Sequence, residues 1–132
     1  MKIMVVDDEL LGRKRISEML KDYGSVDEYE NGQSALTAFQ EALSEKTESY
    51  RLVTLDINMP GIDGLDVLNQ MRQMEQANHI TPDNQTVIIM ITSMDDKNSC
   101  IKAISQKCSD YIVKPVQQET LINRLKRLKV LS

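Results

Sequence analysis

The strongest pattern in the chain is a set of short apolar runs separated by longer stretches with helical periodicity. Within each run nearly every position is apolar or β-branched, which is typical of strands buried on both faces. The four runs cover residues 3–6, 52–55, 87–91 and 111–113. A fifth, weaker strand is predicted over residues 25–30, where Val26 and Tyr29 lie among acidic residues. Its charges suit a sheet edge, because they discourage pairing with another chain.

Between the strands, apolar residues recur every three or four positions, which is the period of an amphipathic helix. Five helices are predicted in this way. The residues that mark them are, in chain order, Ile16, Met19, Leu20 and Tyr23; Leu36, Phe39 and Leu43; Leu65, Leu68 and Met71; Ile101, Ile104 and Cys108; and Leu121, Ile122, Leu125 and Leu128. Residues 76–85 have no apolar period and are predicted to form a loop before the fourth strand.

The alternation of strands and helices predicts an α/β fold, in which right-handed crossovers build a doubly wound parallel sheet with helices on both faces. A chain of 132 residues, 41% of them apolar, can bury one core, so a single domain over residues 1–132 is expected. Ligands of such sheets bind beyond the carboxyl ends of the strands, at the point where the strand order reverses. We therefore expect the functional site there.

Composition excludes several functions. Sixteen basic and twenty acidic side chains give a net charge of −4, which argues against direct binding to nucleic acid or to an anionic membrane. No apolar run approaches the roughly 20 residues of a membrane span, and acids follow the first strand directly, so neither membrane insertion nor a signal peptide is expected. The chain is expected to be cytoplasmic. Cys100 and Cys108 lack the spacing of zinc or redox sites and are expected to be reduced.

Polar residues follow four of the five predicted strands. Three carboxylates that meet at one edge would repel one another and raise their pKa values unless a cation neutralised them. Oxygen ligands at a partly open site suit Mg²⁺, so a divalent metal is implied. The residues concerned are Asp7 and Asp8 after the first strand, Asp56 after the third, Thr92 and Ser93 after the fourth, and Lys114 after the fifth.

With these residues in place, the sequence resembles the receiver domains of bacterial two-component response regulators, of which the chemotaxis regulator is the usual single-domain form. The resemblance covers essentially the whole chain. It rests on four segments that occur in the family's order: VVDDE at 5–9, LDINMPGIDG at 55–64, ITS at 91–93 and DYIVKP at 110–115. The resemblance implies a flavodoxin-like sheet with strand order 2-1-3-4-5.

The resemblance also assigns roles to individual residues. Asp56 is implied to be the phosphoacceptor, and Mg²⁺ is implied to be held by Asp7, Asp8, Asp56 and the backbone carbonyl of Asn58. Lys114 would pair with the phosphoryl group. The remaining implications are a switch hydroxyl at Thr92, a switch aromatic that turns inward at Tyr111, and a cis peptide bond between Lys114 and Pro115.

The function implied is a phosphorylation-dependent signalling switch. A histidine kinase or a histidine phosphotransfer protein would supply the phosphoryl group. The face made by the fourth predicted helix, the fifth strand and the fifth helix would then change and control a downstream protein target. No enzymatic activity is expected beyond self-catalysed phosphorylation and dephosphorylation of Asp56. Because the chain ends directly after the last predicted helix, it is expected to be either a stand-alone receiver or one excised from a longer protein.

Other functions fit the residues less well. A haloacid-dehalogenase type phosphatase needs a second Asp two positions after its nucleophile, and Asn58 cannot transfer that proton. The acids after the first strand would repel a flavin phosphate, and no glycine-rich GK[ST] segment is present for a nucleotide. His79 is expected to be a solvated loop residue. Residues 13–15, all basic, could meet an acidic patch on a phosphodonor or simply form a solvated helical face.

Overall fold

The computed structural model describes residues 1–45, 48–93 and 107–132, and its central feature is one parallel sheet. The strand order is β2-β1-β3-β4-β5, which confirms the expected doubly wound, flavodoxin-like topology. Every strand pair is parallel. The strands are β1 (Lys2–Val6), β2 (Ser25–Tyr29), β3 (Leu52–Asp56), β4 (Val87–Thr92) and β5 (Asp110–Val113).

Four α-helices are found in the part of the chain that the structure describes. They are α1 (Leu10–Leu20), α2 (Gly32–Ser44), α3 (Gly64–Ala77) and α4 (Gln118–Arg127), and a short 3-10 turn covers Pro82–Asn84. The helix predicted around Ile101 and Ile104 lies outside the described residues, so α4 is the fifth of the predicted helices. Cys108, which the periodicity assigns to that helix, lies instead in the irregular segment before β5 and is half-buried. No described helix has the length and apolar character needed to cross a membrane.

Two predicted helix ends are wrong, α1 by three residues and α3 by two. Tyr23 lies beyond the end of α1, in the turn before β2, and is exposed. Conversely, α3 extends to Ala77, into the segment predicted to be a loop. The extension is stabilised at its end by Asn78, whose side-chain amide donates to the Met74 carbonyl oxygen at 2.8 Å. Because the residues at the end of a helix are often polar, an apolar pattern does not predict where the helix ends.

The sheet carries a separate apolar layer on each face. Adjacent β1 residues contribute to opposite layers, Met4 and Val6 to one and Ile3 and Val5 to the other. The first layer also receives the buried faces of α2 and α3, and the second those of α1 and α4. Strands with continuous apolar sequence are therefore central, whereas β2, with its acids, is a half-buried edge strand as predicted.

A buried ion pair at the amino-terminal edge of the sheet was not predicted from the sequence. The Glu75 side chain, 1% exposed, accepts a hydrogen bond from the Thr86 backbone N–H at 2.7 Å. Arg72 donates to the other Glu75 oxygen at 2.7 Å, and also to the carbonyl oxygens of Thr86 and Lys107 at 2.9 and 2.8 Å. This pair therefore joins α3 to the segments that lead into β4 and β5.

The Glu75 contacts predict a large loss of stability when the carboxylate is removed. In Glu75→Ala the Arg72 guanidinium and the Thr86 N–H lose a buried acceptor, so we expect the free energy of unfolding to fall by about 2–4 kcal/mol. Denaturant unfolding followed by circular dichroism measures the change. Glu41→Ala, which alters an exposed glutamate on α2, is the control and should change stability by no more than about 0.5 kcal/mol. Equal losses in both variants would contradict a stabilising role for the pair.

Candidate functional site

Three carboxylates meet at the carboxyl-terminal edge of the sheet. Asp7 and Asp8 follow β1, and Asp56 is the last residue of β3, which lies next to β1. One oxygen from each carboxylate lies within 4.8 Å of the others. The strand order reverses between β1 and β3, so the cluster occupies the position at which doubly wound sheets bind ligands. Asp7 and Asp56 are buried and Asp8 is half-buried.

The backbone around Asp7 is held from three sides. Its N–H donates to the Tyr29 carbonyl oxygen at 3.1 Å, and its side-chain Oδ1 accepts from the Glu9 N–H at 2.9 Å. Its carbonyl oxygen accepts from the Arg13 guanidinium at 2.9 Å. Arg13 is itself paired with Glu28 of β2 at 3.3 Å. The first turn after β1 is thus anchored to both α1 and the edge strand.

The structure shows what two of the three basic residues of α1, residues 13–15, contact within the protein. Arg13 and Lys14 both contact the Glu28 carboxylate, Lys14 at 3.1 Å, so both charges have a partner within the protein. Sequence reasoning missed this pairing. The available signal was an acid in the edge strand together with a basic run in the preceding helix, but their register is a property of the folded chain. Arg15 is exposed at the edge of a cavity of about 350 Å³ next to Asp7.

Asp56 faces the lysine that follows β5. The Lys114 ammonium donates to Asp56 Oδ2 at 3.0 Å, and the Asn58 backbone N–H donates to Oδ1 at 3.3 Å. The Lys114 backbone N–H donates to the Thr92 carbonyl oxygen at 2.8 Å, which places its side chain at the same edge as β4. The bond between Lys114 and Pro115 is cis, as the resemblance implied.

Burial dominates the electrostatics of Asp56. Desolvation raises its pKa, the hydrogen bond and charge of Lys114 lower it, and the nearby Asp7 carboxylate raises it again, so that the resulting pKa is about 6. For Lys114, burial alone would lower the pKa. The hydrogen bond and charge of Asp56, with further attraction from Asp7 and Glu9, raise it above its ordinary value. The lysine is therefore held in its charged form beside the carboxylate.

The other predicted site residues surround this pair. Thr92 is the buried last residue of β4, one position beyond Ile91, which is paired with Asp56 in the sheet. Its hydroxyl donates to the Ser93 carbonyl oxygen at 3.2 Å. Asn58 is exposed beside Asp56. Tyr111 of β5 is half-buried and packs against the apolar layer that contains α2 and α3.

The loop after Asp56 needs glycine at two positions. Gly61 has φ +79°, in the left-handed region that L-residues with a side chain rarely adopt. At Gly64, the first residue of α3, a Cβ atom would lie 2.4 Å from the Asp56 carbonyl oxygen. This close approach brings α3 directly against the end of β3.

Comparison with known proteins identifies the family to which a chain with this fold and these strand-end residues belongs. The sequence profile described as "Response regulator receiver domain" matches residues 3–126. The chain belongs to the response regulator receiver domain family. This result confirms the resemblance drawn from the strand-end motifs, and the match includes all three acids of the cluster, Thr92, Tyr111 and Lys114.

Individual receiver proteins are similar over almost the whole chain. Chemotaxis protein CheY of Listeria monocytogenes is 31% identical over 129 residues, which cover 96% of this chain and 97% of that protein. Transcriptional regulatory protein ResD of Bacillus subtilis is 34% identical over 128 residues, but this chain spans only 47% of its length. A solved receiver domain from Clostridium thermocellum is 29% identical with a TM-score of 0.73, covering 99% of this chain and 98% of that one.

The acidic cluster of this receiver domain can hold a divalent cation. Its donors are carboxylate oxygens, which are hard ligands of the kind that Mg²⁺ and Ca²⁺ prefer. The pKa of Asp56 is raised chiefly by burial, with a smaller contribution from repulsion by the Asp7 carboxylate. A cation at this position would lower that repulsion.

The raised pKa of Asp56 predicts a specific dependence of stability on pH. In chelator, the folded protein retains the Asp56 proton up to about pH 6, whereas the unfolded chain releases it near pH 4. The parent should therefore lose stability relative to Asp56→Asn as pH rises from about 4 to 6, by on the order of 2 kcal/mol.

Denaturant unfolding at a series of pH values measures this difference. Asp83→Asn, which changes an exposed acid in the 3-10 turn before β4, is the matched carboxylate control. If the parent and Asp56→Asn curves run parallel between pH 4 and 6, the Asp56 pKa is not raised in the folded protein.

Proposed function

We propose that residues 1–132 act as a single receiver domain that accepts a phosphoryl group on Asp56 and thereby controls a protein target. The observation that carries this proposal is the ion pair between Asp56 and Lys114, formed at 3.0 Å beside two further acids. A buried carboxylate with one oxygen bound to a lysine and the other to a backbone N–H is held in a fixed orientation, as a nucleophile must be.

The proposed chemistry is the transfer of a phosphoryl group between two proteins. The donor is a histidine kinase or a histidine phosphotransfer protein. An Asp56 carboxylate oxygen forms a bond to phosphorus while the phosphorus–nitrogen bond of the donor breaks, and the imidazole nitrogen retains that electron pair. The Lys114 ammonium, and the Thr92 hydroxyl once it has moved toward Asp56, would stabilise charge on the phosphoryl oxygens.

Mg²⁺ is the cofactor that we propose for the acidic cluster. The ligands would be the carboxylates of Asp7, Asp8 and Asp56 and the backbone carbonyl of Asn58. When bound there, Mg²⁺ would offset the negative charge of the carboxylates and of the incoming phosphoryl group. Its preference for carboxylate and phosphate oxygens over nitrogen or sulfur supports this choice.

The proposed output is a change of conformation that begins at Thr92. A phosphoryl group on Asp56 would attract the Thr92 hydroxyl, which now bonds to the neighbouring Ser93 carbonyl oxygen. Tyr111 would then turn inward, and the face formed by the helix predicted around Ile101, by β5 and by α4 would bind its protein target differently. The domain acts in this way as a switch.

Phosphorylation of Asp56 is directly testable by intact mass. Incubation with acetyl phosphate and Mg²⁺ should add the mass of one phosphoryl group to the parent and none to Asp56→Asn, because Asp56 is the acid that is paired with Lys114 in the described part of the chain. Hydroxylamine should remove the group, since an acyl phosphate is labile to it. Asp83→Asn, which retains the whole site, should be labelled like the parent. An adduct that persists in Asp56→Asn, or that resists hydroxylamine, would point to a different acceptor.

The role of Thr92 can be separated from phosphorylation itself. With Mg²⁺ and beryllofluoride, which mimics a phosphoryl group on Asp56, the parent should change its amide hydrogen exchange within residues 107–128. Thr92→Ala should still accept phosphate but lose these distant changes, because its hydroxyl is absent. Thr92→Ser keeps the hydroxyl and should preserve them. If Thr92→Ala responds like the parent, Thr92 does not transmit the signal.

A further inference from the structure

Gly12 occupies an unfavourable place for a glycine, within the first turns of helix α1. Glycine is a poorer helix former than alanine, because it has more backbone freedom to lose. Its φ is not positive, so no special backbone conformation requires it. The reason for a glycine at position 12 must therefore be that a larger residue would have no room for its side chain.

That space is already used by the acidic cluster. A Cβ atom at Gly12 would lie 2.6 Å from Asp7 Oδ2, closer than Cβ atoms approach any neighbour in folded proteins. The same side of the helix borders the cavity of about 350 Å³ between α1 and the segment after β5. The carboxylate of Asp7 therefore extends into the gap that the missing side chain leaves.

Asp7 has little freedom to avoid a side chain at position 12. Its N–H and carbonyl oxygen are bound by Tyr29 and Arg13, and its Oδ1 is bound by the Glu9 N–H. Oδ2 accepts no hydrogen bond from any described residue, so contact with a new methyl group would displace this oxygen first. Displacement of Oδ2 alters the mutual distances of the clustered carboxylates, which decide how well they surround a cation.

We propose that Gly12 is a positioning residue for the acidic cluster: its missing side chain lets the Asp7 carboxylate take the orientation in which Asp7, Asp8 and Asp56 bind a divalent cation. This inference rests on the proposed function, because it concerns the same cation. It adds a residue of α1 that carries no ligand atom for the site and acts only through the space that it leaves open.

The variant Gly12→Ala should bind Mg²⁺ more weakly than the parent, by roughly tenfold, the scale on which residues that orient metal ligands act. Binding of the metal alone is measured by titration calorimetry or by amide chemical shifts. At saturating Mg²⁺ the rate of Asp56 labelling should return toward that of the parent, because the displaced carboxylate retains its charge. Leu11→Ala is the matched control, since it alters the adjacent, 85% exposed residue of α1 and should leave Mg²⁺ affinity unchanged.

A second measurement tests the contact itself, without any metal. In chelator, Gly12→Ala gains helix propensity but meets the Asp7 carboxylate. In an Asp7→Ala background that obstacle is absent, so the same substitution should raise the melting temperature by about 2–5 °C more than it does in the parent background. Circular dichroism of all four proteins shows whether each is folded and gives the melting temperatures.

The outcomes separate this inference from the proposed function. If the parent binds Mg²⁺ and is labelled, but Gly12→Ala has the same Mg²⁺ affinity, Gly12 does not position the cluster. Equal melting shifts in the two backgrounds would likewise overturn the inference, because they would show that residue 12 does not contact Asp7. If the parent itself neither binds Mg²⁺ nor is labelled, the proposed function fails, whereas the melting comparison still tests the contact.

Discussion

The burial of two like-charged carboxylates at one edge of the sheet is the constraint on which the site depends. Asp7 directly follows β1 and Asp56 ends the neighbouring β3, and both are buried, so their charges lie in a medium where repulsion is poorly screened. Burial is the largest cause of the raised Asp56 pKa of about 6, which the Lys114 ion pair lowers and the Asp7 charge raises further. The charged form of Asp56 is therefore incompletely stabilised, and a cation held by the cluster would stabilise it. These buried charges disfavour the folded state and need support from contacts elsewhere in the fold.

That support comes from elements that do not touch the reacting atoms. The apolar layers bury β1 and β3 on both faces of the sheet. The ion pair between Arg13 and Glu28 holds the turn after β1 against the edge strand. At the opposite edge, Glu75 and Arg72 join α3 to the segments that lead into β4 and β5. Stabilising polar contacts therefore lie at both the amino-terminal and the carboxyl-terminal edge, whereas the buried like charges lie at the carboxyl-terminal edge alone among the described residues.

Features that depend on neighbouring residues in the sequence could be predicted, whereas contacts between residues far apart in the sequence could not. Strands with continuous apolar sequence and acids at strand ends are local patterns, so the sheet, its edge strand and the clustered acids could be predicted. The end of α3 could not, because Gln76 and Ala77 lie beyond the apolar pattern and the helix end is stabilised by the side chain of Asn78. The closeness of Gly12 to Asp7 likewise depends on how α1 packs against β1, which no spacing along the chain specifies.

The proposed coupling between Asp56 and the face that contains β5 and α4 has a structural basis in how the last two strands end. The backbone N–H of Lys114 donates to the Thr92 carbonyl oxygen, so the two residues proposed to contact the phosphoryl group are joined to each other. Tyr111 of β5 lies three positions before Lys114 in the sequence and is paired with Met90 of β4. Arg124 of α4 donates to the Tyr111 carbonyl oxygen at 3.0 Å. A displacement of Thr92 toward Asp56 would therefore act on β5 and α4 through main-chain contacts that already exist, and would need no additional connecting element.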